Sequence, residues 1–420
     1  GELGSFYRPD GLLANSDLKW ETTISRNLGL DFGFLNNRIN GSLEIYWNTT
    51  KDLLMAVPVD NTTGYSYQFQ NFGKTSNRGI ELSLNFDVIN KGDFRFNIGA
   101  IYNYNRNKLD ELPNADQYLY SSYWGSSSLV PTNDYMFVEG KAIGLVRGFV
   151  SEGFYTVNDF RYENGQYILK EGIPDITKAL TATYMHPFNI PNGQTAFPGA
   201  AKFRDVNNSG TVDLDDATCL GEVMPRHTGS FQLNFNYKNF DLSSNFNWTA
   251  GGKVYNVAAM INASGQEFDG IGAQRTSWVA DTYKVYNVNS SGDLYAVTDP
   301  NELNALNANA KYHLPYHQSG ITSSEWLEDG SYLRLQTLTL GYTLPHTVLN
   351  KIHIEKLRIY LTATNLFTIT GYSGIDPEVN ATPTGQSGFY SNLRVFPTLN
   401  MDFGTYPRAR TFTLGGNITF

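Results

Sequence analysis

The chain has 420 residues, only 17% of them charged and 14% aromatic, with 39 Gly and a net charge of −9. So little charge beside so many aromatics excludes disorder, a coiled coil and a helix bundle. Forty acidic residues against 31 basic ones speak against nucleic-acid binding. The single cysteine, Cys219, excludes a disulfide framework and a cysteine-built zinc site. No apolar run reaches the roughly 18 residues of a spanning helix. The mean hydropathy of −0.34 also suits a membrane β-barrel, whose strands alternate lipid-facing with lumen-facing residues. Gly1-Glu2-Leu3-Gly4 carries no signal-peptide pattern, so either a mature start or a fragment is expected.

Period-two alternation dominates the chain, and it predicts an all-β protein. Leu28, Leu30, Phe32 and Phe34 oppose Asn27, Asp31 and Gly33. Ile39, Leu43, Ile45 and Trp47 oppose Asn40, Ser42, Glu44 and Asn48, and Ile80 to Val88 oppose Glu81 to Asp87. The pattern returns at Phe94–Tyr104, Phe231–Tyr237, Phe240–Trp248, Leu357–Phe367 and Phe412–Phe420, and more weakly across Tyr332–Leu344. One apolar and one polar face per strand is the signature of a sheet between two different media. Nine strands are predicted, at about 18–35, 39–57, 66–89, 94–108, 226–237, 240–250, 331–344, 356–369 and 410–420. A soluble sandwich or propeller would also alternate, but these strands exceed the about 5–6 residues usual there. Their apolar faces end in Tyr, Trp and Phe, as the interface girdles of outer-membrane barrels do.

Connections alternate between short and long. Asn36–Arg38, Asn90–Asp93 and Lys238–Asn239 are tight, and Pro345–Lys356 is somewhat longer. The segments near 49–70, 108–226, 250–331 and 370–405 are long. Short periplasmic turns and long extracellular loops give this pattern, which places Phe420 at the periplasmic rim. Nine is odd, and an open sheet in lipid leaves its backbone edges unsatisfied. The chain is therefore expected to be the C-terminal part of a larger antiparallel transmembrane β-barrel.

Residues Asp205-Val206-Asn207-Asn208-Ser209-Gly210-Thr211-Val212-Asp213-Leu214-Asp215-Asp216 follow calcium-loop spacing. Oxygen-bearing side chains stand at positions 1, 3, 5, 9 and 12, with Gly at position 6. The expected Ca²⁺ ligands are Asp205, Asn207, Ser209, the Thr211 carbonyl, Asp213 through water, and Asp216. An Asx-rich turn without metal is the open alternative. Tyr118, Tyr120, Tyr123 and Trp124 in one long loop, with Trp278, Tyr283, Tyr286 and Trp326 in the next, could contact substrate or partner, or pack the loops. His313 and His317 are four apart but separated by Pro315, which argues against a helical zinc pair. Neither Cys219 nor the Asp110/Glu111 pair has a positioned catalytic partner in the sequence, and no nucleotide or triad motif appears, so no enzyme is expected.

Several segments resemble SusC/RagA-like TonB-dependent transporters. They are Asn71-Phe72-Gly73-Lys74-Thr75-Ser76-Asn77-Arg78-Gly79-Ile80-Glu81-Leu82, Leu18-Lys19-Trp20-Glu21, Met224–Phe231, Gly252–Asn256, Gly341-Tyr342-Thr343-Leu344-Pro345 and Ala363-Thr364-Asn365-Leu366-Phe367. The resemblance implies a 22-stranded outer-membrane barrel with an N-terminal plug and a TonB-contacting segment. It also implies a SusD-like surface lipoprotein partner, assembly as a dimer of such pairs, and import of oligosaccharides or peptides. Residues 1–420 are expected to form about nine of those strands. The large extracellular loop at 108–226 carries the 205–216 motif, and no counterpart of the plug or TonB box lies within the chain. Two other readings stay open: a non-transporting outer-membrane barrel acting as an adhesin or protein-binding platform, and a secreted β-rich glycan-binding protein.

Overall fold

The computed structural model describes residues 12–65, 67–71, 73–112, 117–120, 133–180, 186–264, 280–314, 321–349, 354–379, 400–402 and 404–420. One large sheet contains β1 (Asn27–Phe34), β2 (Ile39–Lys51), β3 (Lys74–Lys91), β4 (Phe94–Glu111) and β5 (His227–Tyr237). It continues through β6 (Phe240–Ala250), β7 (Tyr332–Thr343), β8 (Lys356–Thr370) and β9 (Thr411–Thr419). Neighbours in the sheet are neighbours in the chain, and every pair is antiparallel. A short strand, Thr22–Ile24, also pairs with β2. Ile24 faces Thr49 and Asn27 faces Tyr46, so this segment continues β1 in one register. Among the described residues the wall thus has nine strands, as alternation predicts.

Two predicted strands are shorter in the wall than expected. Ladder pairing between β2 and β3 stops at Lys51 and Lys74, then resumes at Leu54 and Asn71 in the same register, but in a separate small sheet. Asp52 adopts a left-handed φ of 57°. The Leu54 N–H donates to the Glu21 carboxylate at 2.7 Å, so Glu21 bridges onto the hairpin at the break. Asn71 fastens the same junction, donating to the Lys19 and Asp52 carbonyls and accepting from the Lys19 N–H.

The strand faces separate as the pattern predicts. Large apolar side chains stand exposed on one face, Leu28 at 65% and Leu414 at 76% among them. Aromatic rings cluster at both ends of that face. Tyr102, Tyr104, His227 and Trp248 gather at the loop end, where the Tyr102 hydroxyl meets His227 Nδ1 at 2.9 Å. Phe94, Tyr237, Phe240 and Tyr342 gather at the tight-turn end. Between them Phe96 stacks on Phe235 and Phe231 on Phe246. Eight residues of β4 separate Phe94 from Tyr102, about 21 Å of depth at about 3.4 Å per residue and about 40° tilt, close to the apolar band of an outer-membrane barrel.

The buried cores lie outside the wall, in the long connections. One core joins residues 149–212 to residues 283–321 around Phe149, Tyr155, Tyr167, Leu180 and Leu303. A second joins the outer end of β4 to residues 112–146, 255–260, 326 and 401. The Phe149 N–H donates to the Thr322 carbonyl, and the Ser324 N–H donates to the Phe149 carbonyl, which stitches the two largest loops together.

Candidate functional site

The polar face of the wall is laced by side-chain hydrogen bonds. Thr339 and Thr362 hydroxyls meet at 2.9 Å, and Asn97 donates to Asp87 at 3.0 Å. Near the tight turns, Arg358 of β8 reaches over β7 to Asp241 of β6, with Nη2 2.5 Å from Oδ2. Gly341 lies beneath this pair, and a Cβ there would meet both partners, which explains the glycine of the Gly341–Pro345 motif. Gly79 plays the matching part in the Asn71–Leu82 motif. It sits opposite Tyr46, whose ring covers it, and a Cβ would strike the ring and the Tyr104 carbonyl. Asn365 of the Ala363–Phe367 motif takes a φ of 52° at a register shift and donates to the Ala409 carbonyl.

At the loop end, Arg334 of β7 is 2% exposed and points from the polar parity into a charged cluster. It donates to Asp376 at 2.5 Å, to Glu378 at 2.8 Å and to the Thr368 hydroxyl at 3.0 Å. Arg408 takes the other Glu378 oxygen at 2.6 Å. This cluster ties the segment after β8 to the wall. Sequence reading passed over it, although an Arg between Leu333 and Leu335 on the polar parity was the available signal.

The predicted aromatic contacts separate by burial. Tyr120 is buried and stacks on Tyr135 and Phe137, with Tyr118 partly buried beside it. Tyr283 is buried against Phe154, and Trp326 is buried against Tyr312. Tyr286 is 43% exposed on the hairpin Tyr286–Val288/Leu294–Ala296. Tyr123, Trp124 and Trp278 lie outside the described residues.

The 205–216 segment closes on its own backbone. Asp205 accepts from the N–H groups of Ser209 (3.1 Å) and Gly210 (2.7 Å). Asn207 accepts from the Ser209 N–H at 2.9 Å, and the Ser209 hydroxyl donates to the Thr211 carbonyl at 2.8 Å. Asp213 caps the short helix Leu214–Asp216 by accepting from Asp215 N–H. Asp216 is fully buried, and its oxygens accept from Val206, Asn207 and Asp213. Among the described residues, no three His, Cys, Asp or Glu side chains converge in a way that could hold a metal ion. The side-chain oxygens of the loop are thus engaged by its own backbone amides, and the case for Ca²⁺ rests on ligand spacing.

Cys219 stands exposed on the strand Thr218–Glu222. His313 is buried, and its Nδ1 lies 2.8 Å from the Leu314 carbonyl. His317 lies outside the described residues.

Comparison with known proteins matches residues 2–366 to the family model described as TonB dependent receptor-like, beta-barrel. TonB-dependent receptor P3 of Formosa agariphila is 30% identical over 407 residues, covering 97% of this chain and 35% of that protein. TonB-dependent receptor SusC of Bacteroides thetaiotaomicron is 27% identical, covering 97% of this chain and 32% of that protein. A solved structure of the RagAB peptide transporter superposes with a TM-score of 0.64 at 21% identity, over 97% of this chain and 36% of that one. The chain thus spans about a third of the length of these relatives.

Proposed function

The chain belongs to the TonB-dependent receptor-like β-barrel family of the outer membrane, and on that premise we propose that it forms the C-terminal part of a nutrient importer. The imported compound is an oligosaccharide or a peptide. Import proceeds by binding and gating, with no covalent bond made or broken. A SusD-like surface lipoprotein covers the extracellular loops, the pairs associate as dimers, and TonB acts through a segment outside these residues. The observation that carries this reading is the two-faced wall. An apolar face with aromatic girdles meets lipid, while the opposite face lines a polar path. The charged cluster at Arg334 ties the segment after β8 to the loop end of that wall.

A strain deleted for the gene, grown on single oligosaccharides or peptides, tests the proposal. Loss of growth on one class, restored by the gene, is expected. Unchanged growth on every compound, with loss of surface attachment, would favour the adhesin reading instead.

A further inference from the structure

The basic side chains at the outer ends of β3 and β4 fall into two groups. Lys74 lies 2.8 Å from Glu111 and Lys108 lies 3.3 Å from Asp110, so both lysines have carboxylate partners. Arg78 of β3 and Arg106 of β4 do not. They are directly opposite one another in the ladder, and both are exposed. Among the described residues, no carboxylate forms an ion pair with either. Residues directly opposite on neighbouring strands have Cβ atoms about 4.5–5.5 Å apart, and like charges there destabilise the pair.

The two arginines stand on the face that meets lipid. Arg78 shares the parity of Ile80, Leu82 and Leu84, and Arg106 shares that of Tyr102 and Tyr104. The register shifts between these strands, at Lys74/Thr75 and Asp87/Ile89, lie outside this stretch and leave the parity intact. Trp47 of β2, 44% exposed, is opposite Arg78 on its other side, so one row across three strands reads Trp47, Arg78, Arg106. Arg106 comes one same-face step beyond Tyr104 of the loop-end girdle. Twelve residues of β4 separate it from Phe94 of the tight-turn girdle, about 31 Å of depth at about 2.6 Å per residue. An apolar band is about 25 Å tall, so the arginines clear the hydrocarbon and stand where the headgroups begin.

The geometry points to a binding site for the phosphate group of an outer-leaflet lipid, held by Arg78 and Arg106 together. Each guanidinium offers a planar fork of N–H donors that matches phosphate oxygens, and a phosphate between the two removes their mutual repulsion. A lipid fits better than a free phosphate because the row is continuous with the lipid-facing wall. The acyl chains of the same molecule have apolar surface directly below, at Ile80, Tyr104 and Tyr102. The site depends on which face meets lipid, and not on what is imported.

The test counts bound lipid on the purified full-length transporter by native mass spectrometry in neutral detergent. The probes are dioleoyl phosphatidic acid, dioleoylglycerol (the same chains without the phosphate) and inorganic phosphate. Phosphatidic acid is expected to bind at least about tenfold more tightly than dioleoylglycerol, the scale of one charge-assisted hydrogen bond. Arg78→Gln combined with Arg106→Gln should remove one phosphatidic acid per transporter. Lys74→Gln combined with Lys108→Gln should leave the count unchanged, because those lysines already have partners. Should the double arginine variant assemble poorly, Arg106→Gln alone should weaken that one molecule at least about tenfold. An unchanged count and affinity in the arginine variants, or equal binding of dioleoylglycerol, overturns the proposal. Displacement of that lipid by equimolar inorganic phosphate also overturns it, since the site would then take a free anion. Binding is read on isolated protein, so failure of nutrient uptake in cells bears on the import reading alone.

Discussion

Introducing Arg at Leu233 tests which face of the wall meets lipid. Leu233 is on the apolar parity of β5, between Ile98 of β4 and Ser244 of β6. It lies five positions before the tight turn at Lys238. At about 2.6 Å of depth per residue, that places it about 13 Å from the inner rim, half the height of an apolar band of about 25 Å. Arg at the midplane of a barrel's lipid face costs about 2–4 kcal/mol, falling to about 0–1 near the interfaces. Leu233→Arg should therefore destabilise strongly. Tyr237→Arg, on the same face at the turn, should cost about 1 kcal/mol or less. Asn234→Arg, facing the lumen beside Asn97 and Ser243, should also be mild, because water reaches that side. The measurement is the urea midpoint for unfolding of the full-length barrel from lipid vesicles, with surface abundance in cells as a second readout. Equal costs at Leu233 and Asn234 would refute the assignment of faces, and equal costs at Leu233 and Tyr237 would refute the depth.

Arg334→Met should free the segment after β8, because it leaves the 8%-exposed Asp376 without a counter-charge; losing one partner of a buried pair costs about 3–5 kcal/mol. Glu378→Gln should cost about 1 kcal/mol or less, since that side chain is 40% exposed, and limited proteolysis of residues 371–379 on intact cells separates the two. Gly79→Val should block barrel assembly, measured as heat-modifiable migration on gels, because it forces the Tyr46 ring and the Tyr104 carbonyl apart. Glu325, raised in the folded state to about 7, binds protons more tightly folded than unfolded, so its contribution to loop stability is present at low pH and lost as pH rises towards 7. Hydrogen exchange at residues 325–328 should accordingly be slower in Glu325→Gln than in the unmodified protein at pH 8, and alike in the two near pH 4. Calcium titration addresses the 205–216 segment: ligand spacing leads to the expectation that Ca²⁺ protects residues 205–220 from proteolysis, and identical cleavage in Ca²⁺ and in chelator would assign the loop to its own amides alone.

The wall was legible in the sequence because its information is local: side-chain parity repeats every two residues and needs no knowledge of partners. It blurred where a single extra residue shifts the parity. In β7 the apolar positions run Leu333, Leu335, then Leu338, Leu340 and Tyr342, because the register shifts at Gln336, and this strand had the weakest alternation. In β3 the register shifts around Val88, so that Ile89 rather than its predecessor pairs with Phe96. A bulge costs one residue of pattern but turns the strand, and such features cluster at barrel rims.

The mouth was far less legible, and for a physical reason. The cavity at Glu325 takes its walls from residues near 256, 312, 325–328, 373 and 402, which only the packed loops bring together. Each stretch looks ordinary alone. Ser324-Glu325-Trp326 is brought against the other large loop only by the pairing of Phe149 with Ser323. Aromatic residues singled out as contacts divided the same way. Tyr120, Tyr283 and Trp326 build the cores that hold the loops, and a ring that builds a core cannot also be a free face, except where, as at Trp326, the core borders a cavity. A lipid-facing wall therefore needs only the right residue at every second position, which evolution can vary strand by strand. A loop-built cavity needs several distant segments to keep their packing at once, so a substitution such as Tyr283→Ala in the neighbouring core should loosen the loops while leaving the wall intact.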